Sequence, residues 1–280
     1  MLTLDGVPTP ATKFPDGTSQ VWKLDLLDLV RRQQGGGPPA VVEWTWTGDE
    51  SEFMHLAQLK ELLDAYGLRA ELSVPYLPYA RQDKPVGNQE TFALRTFARL
   101  LGSLGFERVV ARDPHSDVAA EFVPGWAPET AAAGIARSVA LLRPDCLCFP
   151  DEGATRRYQP LAGKTPFFAA RKLRNSATGE VLGVTLKPAS GPGPSPRLDP
   201  AGDGRVLVVD DLCDGGATFV AIAAVLREAG AKELGLYVSH GLFSKGFDAL
   251  RQAGYSRFFT LRGEIPAGVV AGLDPKEFVL

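Results

Sequence analysis

The feature that most restricts the fold is an alternation of short apolar runs with longer stretches whose apolar residues recur at helical spacing. The apolar runs, each of strand length, are Val41–Trp46, Ala70–Tyr76, Cys146–Phe149 and Val206–Val209. Apolar strands that alternate with helices are typical of parallel sheets covered by helices. The pattern therefore predicts an α/β fold built on mainly parallel sheets.

This alternation occurs in both halves of the chain. Helices are predicted between Phe53 and Gly67, between Ala93 and Gly105, and from Phe219 to Ala229. A chain of 280 residues is long enough for one large or two medium domains. We expect two domains of similar build, residues 1–139 and 140–280, each a mainly parallel sheet flanked by helices.

Composition limits the classes of partner. Lys and Arg total 30 and Asp and Glu 33, a formal charge of −3, which does not favour a dedicated nucleic-acid or membrane-surface binder. No apolar run approaches about 20 residues, and the first residues lack the pattern of a signal peptide, so we expect a cytoplasmic protein. Cys146, Cys148 and Cys213 are too few for a disulfide framework and are expected to be buried thiols.

The strongest chemical signal lies in Val206–Thr218, where an apolar strand is followed by a Gly-rich turn and a helix. Asp210 and Asp211 are expected at the carboxyl end of the strand, and Asp214 opens the turn. Backbone N–H groups in such a turn and at the start of a helix bind phosphate. Carboxylates beside a phosphate suit sugar hydroxyls or Mg²⁺, whereas a simple capping turn would explain one acid and not three.

This Asp-Asp-x-x-Asp-Gly-Gly-x-Thr pattern resembles the ribose-5-phosphate loop of type I phosphoribosyltransferases and of ribose-phosphate diphosphokinases. Further matches, in family order, select the diphosphokinases. Phe14–Gly17 is similar to the adenine-facing loop and Pro78–Lys84 to the ATP-contacting segment. Arg112–Ser116 is similar to the metal-binding histidine loop and Pro150–Ala154 to the pyrophosphate-proximal loop. Lys172–Arg174 with Thr178–Gly179 is similar to the catalytic flap.

The resemblance implies two phosphoribosyltransferase-like domains and a Mg²⁺-dependent transfer of diphosphate from ATP to the 1-hydroxyl of ribose 5-phosphate, giving phosphoribosyl pyrophosphate and AMP. It assigns ATP binding to Phe14, Asp16, Arg81, Gln82 and Asp83, and sugar-phosphate binding to Asp210, Asp211, Asp214, Gly215, Gly216, Ala217 and Thr218. In the family the adenine-facing loop completes the ATP site of a neighbouring subunit. A homo-oligomer with the ATP site near a subunit interface is therefore implied.

His115 and Asp151, each after a predicted strand, suit a direct or water-bridged Mg²⁺ site. A surface turn in which Asp113 pairs with His115 is the alternative for the histidine.

Lys172 and Arg174 are two residues apart, so on an extended flap they project to the same side and could both reach a triphosphate. A solvated basic patch that includes Arg171 is the alternative. The flap is expected to be a hairpin turning at Thr178–Gly179 and returning through the Pro- and Gly-rich segment Pro188–Gly204.

Two departures from the family pattern bear on which acceptor is bound and on how ATP is bound. Residues 214–218 read Asp-Gly-Gly-Ala-Thr where the family usually has Asp-Thr-Gly-Gly-Thr, and Thr18 stands where the adenine-facing loop usually has Glu. The altered phosphate loop leaves ADP-ribose open as an acceptor for the same chemistry, as in NAD salvage. A phosphoribosyltransferase and a non-catalytic regulatory relative are further alternatives.

Overall fold

The computed structural model describes residues 1–85, 87, 89–174, 181–188, 198 and 203–266, and for residues 172–174, 181–182 and 188 the backbone alone. The chain divides into two compact units between Thr130 and Ala131. The expected boundary at 139/140 falls inside a helix, Ala132–Leu142. That helix packs on strands of the second unit, so the boundary precedes it.

The first unit contains a five-stranded sheet and a separate two-stranded hairpin. The sheet order is β2 (Val7–Pro8), β1 (Leu2–Leu4), β5 (Ala40–Trp44), β6 (Ala70–Val74) and β7 (Arg108–Ala111), and the hairpin is β3 (Ala11–Lys13) with β4 (Ser19–Val21). Strands β5, β6 and β7 are parallel, and β1 and β2 continue the sheet antiparallel. The helices are α1 (Leu27–Gln34), α2 (Ser51–Ala65) and α3 (Ala93–Ser103), with a 3-10 turn at Asp117–Glu121.

The core of the first unit lies against one face of this sheet. Val42 and Trp44 on β5 and Leu72 on β6 are fully buried, together with Leu56, Leu59 and Leu63 of α2 and Leu94 of α3. Val41, on the opposite face of β5, is 45% exposed. This unit therefore departs from the predicted burial of both sheet faces, and alternate residues of β5 meet different environments.

The second unit contains a seven-stranded sheet. Its order is β10 (Val181–Pro188), β9 (Phe167–Arg174), β8 (Cys146–Phe149), β11 (Arg205–Cys213), β12 (Glu233–Gly241), β13 (Tyr255–Thr260) and β14 (Gly263–Glu264). The five inner strands are parallel, and β10 and β14 pair antiparallel at the edges. The helices are α4 (Ala132–Leu142), α5 (Glu152–Tyr158), α6 (Ala217–Glu228) and α7 (Asp248–Gln252), with a 3-10 turn at Gln159–Leu161.

Both faces of this sheet are covered, which explains why its strands read as continuous apolar runs. Val206 and Val208 of β11 pack on the side of α6, whereas Leu207 and Val209 pack on the side of α4 and α5. All four side chains are fully buried. The predicted α/β fold with mainly parallel sheets is confirmed.

Strand β11 is longer than the sequence predicted. It pairs with β12 as far as Cys213, opposite Gly241, whereas its pairing with β8 stops at Val208. Asp210 and Asp211 therefore lie inside the strand, not at its end, and beyond the last residue that β8 pairs with. The expectation that they end the strand is wrong because one neighbouring strand continues where the other stops.

No helix within the part of the chain that the structure describes is long and apolar enough to cross a membrane. The three cysteines are buried on β8 and β11, as predicted. Burial raises the pKa of Cys146 and of Cys213 to about 12 and raises the pKa of Cys148 further.

We predict that the three thiols do not react with Ellman's reagent at pH 8 in the folded protein, because each is neutral and shielded from solvent. After addition of guanidinium chloride all three should react, which absorbance at 412 nm measures. Rapid reaction of a thiol in the native protein would contradict the burial of the strands that carry them.

Candidate active site

In the second unit, a group of carboxylates lies at the carboxyl edge of neighbouring parallel strands. Asp210 and Asp211 lie on β11 beyond the end of β8, and Asp151 follows β8 as the N-cap of α5. The Asp151 carboxylate accepts a hydrogen bond from the Ala154 N–H at 2.9 Å. This edge is where parallel α/β sheets bind ligands.

Asp210 is strongly perturbed within this carboxylate cluster, which we define as Asp151, Asp210 and Asp211. Burial raises its pKa well above the usual value, and the nearby charges of Asp211 and then Asp151 raise it further. The Asp211 N–H donates to the Asp210 carboxylate at 2.9 Å, which opposes the rise. An arriving hydroxyl donor or cation would relieve this repulsion.

Asp211 is 8% exposed and forms an ion pair with Arg157 of α5, with 3.4 Å between Nη1 and Oδ2. The guanidinium fixes one side of the carboxylate cluster. Arg157 was not predicted as a site residue. Its position on the helix that begins within Pro150–Ala154 is the sequence signal that could have indicated it.

The turn between β11 and α6 has the geometry of a phosphate-binding loop. Gly216 is the N-cap of α6 with φ +79°, a conformation that favours glycine, and a Cβ there would lie 3.1 Å from the Leu250 Cδ2. The Gly216 carbonyl accepts the first hydrogen bonds of the helix, from the N–H groups of Phe219 and Val220, so the N–H groups of Ala217 and Thr218 lie in the opening turn and point out along the helix axis. Ala217 is exposed and Thr218 half-buried, so a ligand can reach both.

A second turn, which follows β12, packs against this loop. The N–H groups of Leu242 and Phe243 donate to the Cys213 carbonyl at 2.8 and 3.1 Å. The Ser244 hydroxyl donates to the Asp214 carboxylate at 2.5 Å. Sequence reasoning missed Ser244 and the neighbouring Lys245, although residues that follow a parallel strand are expected at the same sheet edge.

In the first unit, three of the residues assigned to ATP, Arg81, Gln82 and Asp83, follow β6. The turn from Pro78 is held by hydrogen bonds from the Gln82 N–H to the Tyr79 carbonyl at 2.9 Å and from the Leu94 N–H to the Gln82 carbonyl at 3.2 Å. Ala80 is buried, which anchors the turn, while the side chains of Arg81 and Gln82 are exposed and that of Asp83 is half-buried. Arg81 and Gln82 are therefore accessible to a ligand.

His115 follows β7, the parallel neighbour of β6, so it lies at the same sheet edge as the turn that carries Arg81. The preceding residue Asp113 is 5% exposed, adopts φ 42°, and donates its N–H to the Glu129 carbonyl at 2.7 Å. His115 is half-buried. A fixed backbone thus presents the imidazole at the carboxyl edge of this sheet.

Phe14 and Asp16 lie on the β3–β4 hairpin and not on the five-stranded sheet. Both side chains are exposed. The Thr18 hydroxyl and N–H donate to the Asp16 carboxylate at 2.7 and 3.0 Å, which lowers the pKa of Asp16. Thr18, the departure from the family pattern, therefore orients Asp16 and keeps it ionised.

The backbone of Lys172 and Arg174 lies on β9, opposite Val184 and Val181 of β10, which confirms the paired strands expected for the flap. Strand β9 is the parallel neighbour of β8. The turn at Thr178–Gly179 and most of the segment Pro188–Gly204 lie outside the described residues.

Within the described ranges, no three His, Cys, Asp or Glu side chains are arranged to hold a metal ion. Mg²⁺ is commonly bound by one or two carboxylates and completes its coordination with water and substrate phosphates. Hard oxygen donors in the carboxylate cluster, whose mutual repulsion a cation would relieve, fit such an open site. His115 belongs to the first unit and Asp151 to the second.

The first unit also contains an aromatic cavity of about 390 Å³ that the sequence did not predict. Its lining residues are Trp46, Glu50, Phe53, Tyr79, Thr91, Ala93, Thr96, Phe97 and Leu100. The Tyr79 hydroxyl donates to the Glu50 carboxylate, and this bond raises the pKa of Tyr79. Apolar periodicity alone does not distinguish ring side chains that line a cavity from those that fill a core.

No family model matches the sequence. The chain is 29% identical over 241 residues to the ribose-phosphate pyrophosphokinase of Pyrococcus abyssi, covering 84% of this chain and 76% of that protein. The enzyme of the same name from Thermococcus kodakarensis is 28% identical over 239 residues, covering 84% and 78%. The crystal structure of phosphoribosylpyrophosphate synthetase from Mycobacterium smegmatis covers 89% of this chain and 78% of its own, with a TM-score of 0.68 and 23% identity, and shows a common fold.

We predict that Asp210→Asn stabilises the unliganded protein at neutral pH. A carboxyl whose pKa is raised on folding contributes stability at low pH that is lost as the pH rises through the folded-state pKa, and Asn removes that loss while it still accepts the Asp211 N–H. The midpoint of unfolding should rise by about 2–4 °C for each kcal/mol by which burial of the Asp210 charge and its repulsion had destabilised the fold.

Thermal unfolding with EDTA at pH 5 and pH 8 measures this effect, and Asp210→Asn should gain more at pH 8. Glu61→Gln, which changes an exposed carboxyl on α2, is the control and should show no such difference. An equal or lower midpoint for Asp210→Asn at pH 8 would show that Asp210 is not strained by its neighbours.

Proposed function

Because the chain belongs to the ribose-phosphate pyrophosphokinase (diphosphokinase) family, we propose that it transfers the diphosphate of ATP to the 1-hydroxyl of ribose 5-phosphate. The sugar oxygen attacks the β-phosphorus, the bond from that phosphorus to the oxygen bridging to the α-phosphorus breaks, and AMP leaves with that oxygen. The hydroxyl proton passes to solvent. The observation that carries the proposal is the carboxylate pair of β11 followed at once by the N–H-rich turn onto α6.

The two ends of the acceptor are bound by different groups, carboxylates at the ribose hydroxyls and backbone N–H groups at the phosphate. Asp210 and Asp211 accept hydrogen bonds from ribose hydroxyls, and a hydroxyl donor offsets the burial and the repulsion that raise the Asp210 pKa. The turn of Asp214, Gly215, Gly216, Ala217 and Thr218 takes the 5-phosphate through backbone N–H groups and the Thr218 hydroxyl. The exposure of Ala217 and the αL geometry of Gly216 support this assignment.

ATP binds in this proposal to the exposed Arg81 and Gln82, with Asp83 beside them. Phe14 stacks on adenine and Asp16 accepts from its amino group, both supplied by a neighbouring subunit of a homo-oligomer. The exposure of both side chains on the β3–β4 hairpin supports an intermolecular role.

Mg²⁺ is the proposed cofactor, with His115 and Asp151 as the residues that would hold it. When bound, it neutralises charge on the triphosphate and on the diphosphate being transferred. Asp151 is held in place as the N-cap of α5, and Asp113 anchors the backbone ahead of His115.

Lys172 and Arg174 are the proposed catalytic residues, which contact the transferred diphosphate and stabilise its charge in the transition state. We predict that Lys172→Ala lowers kcat by at least about a hundredfold while folding and ATP affinity stay near normal. Steady-state kinetics and circular dichroism test this.

Lys187→Ala is the matched control, because Lys187 is an exposed lysine on the paired strand β10. It should keep wild-type kcat. A fully active Lys172→Ala would refute the assignment of that lysine to catalysis.

The reaction is tested by incubating the protein with ATP and Mg²⁺ and one acceptor at a time, with AMP followed by chromatography. We predict AMP release with ribose 5-phosphate and none with ribose alone. Release with ADP-ribose only would instead support the alternative that the loop change at Gly215 and Ala217 suggests. In a separate incubation with phosphoribosyl pyrophosphate in place of ATP, release of pyrophosphate that requires a free base would identify a phosphoribosyltransferase.

A further inference from the structure

We propose that Lys245 is a specificity-determining residue of the acceptor site and that its ammonium binds the phosphate on C5 of the acceptor; this inference rests on the proposed function. The lysine stem lies directly over Gly215. A Cβ on that glycine would be 3.2 Å from Lys245 Cδ, 3.3 Å from Cε and 3.6 Å from Cγ. Lys245 thus occupies the space that a side chain at position 215 would need.

The turn that carries Lys245 is anchored on both sides. Its backbone is bonded to the Cys213 carbonyl through Leu242 and Phe243, and Ser244 is bonded to Asp214. Phe243 is 2% exposed and packs on Phe247 with ring centroids 4.4 Å apart. The backbone of Lys245 is therefore held beside the phosphate loop.

The reach of the side chain follows from these distances. The ammonium is bonded to Cε, so it lies within about 5 Å of the position that a Gly215 Cβ would occupy. The N–H groups of Ala217 and Thr218 open the helix two and three residues further on. An anion at the start of α6 would therefore meet backbone donors and a cation together.

The residue at position 215 fits this arrangement. Gly215 has no side chain of its own, and the lysine stem lies over it. A charge-assisted hydrogen bond is stronger than a neutral one, and its strength depends on the charge of the acceptor phosphate. The site should thus select for an acceptor that carries a phosphoryl group on C5.

The test is calorimetric titration of ribose 5-phosphate into the full-length protein without ATP, alongside steady-state kinetics. Lys245→Met should raise the Kd for ribose 5-phosphate about tenfold and weaken its salt dependence. The KM for ribose 5-phosphate should rise in parallel, whereas kcat and the KM for ATP stay near wild type. Lys245→Arg should recover part of the affinity.

Lys232→Met is the matched control, because Lys232 is an exposed lysine at the amino end of β12, the opposite end from the turn that carries Lys245. It should bind like wild type. Gly215→Thr puts a side chain where the lysine stem lies and should weaken the binding of ribose 5-phosphate. In a Lys245→Gly background, where the stem is absent, the same substitution should weaken that binding by a smaller factor.

The outcomes separate the two proposals. An active wild type in which Lys245→Met binds ribose 5-phosphate as tightly as the wild type would overturn the inference about Lys245 alone. A wild type that neither binds ribose 5-phosphate nor releases AMP from ATP in its presence would overturn the proposed function.

Discussion

The candidate site of the second unit depends on the carboxylates that are held together at the carboxyl edge of its sheet. Asp210 is buried beside Asp211, and the charge of Asp151 also reaches it. Strand β11 keeps the first two in place because it is paired with β12 beyond the point where β8 stops. Mutual repulsion among these groups destabilises the free protein and favours a bound hydroxyl donor or cation, so stability and ligand binding oppose each other at this edge.

The same edge accounts for how the other groups are placed. The Gly-rich turn continues directly from β11, and the turn after β12 packs on it through hydrogen bonds to Cys213 and Asp214. In the first unit the turn after β6 and the segment after β7 place Arg81 and His115 at the equivalent edge of a second parallel sheet. Residues that follow neighbouring parallel strands lie at the same edge of the sheet, and this is why segments far apart in sequence lie close together within each unit.

Much of the architecture could be predicted, because burial on both faces of β8 and β11 leaves a continuous apolar signal. The position where β11 ends could not be predicted from the sequence, since it depends on which neighbouring strand continues to pair with it. The boundary between the units was missed because α4 has no sequence mark that assigns it to one sheet. Lys245 and Ser244 escaped detection since their contacts join turns about 30 residues apart, as in the Ser244–Asp214 bond.

In the proposed reaction the acceptor oxygen attacks the β-phosphorus of ATP. This step is tested with ATP labelled with ¹⁸O at the oxygen that bridges the α- and β-phosphorus, with Mg²⁺ and ribose 5-phosphate, followed by ³¹P NMR of the products. If attack is at the β-phosphorus, AMP carries the label and forms only when the acceptor is present. Label in the diphosphate of the sugar product, or formation of ADP in place of AMP, would contradict it.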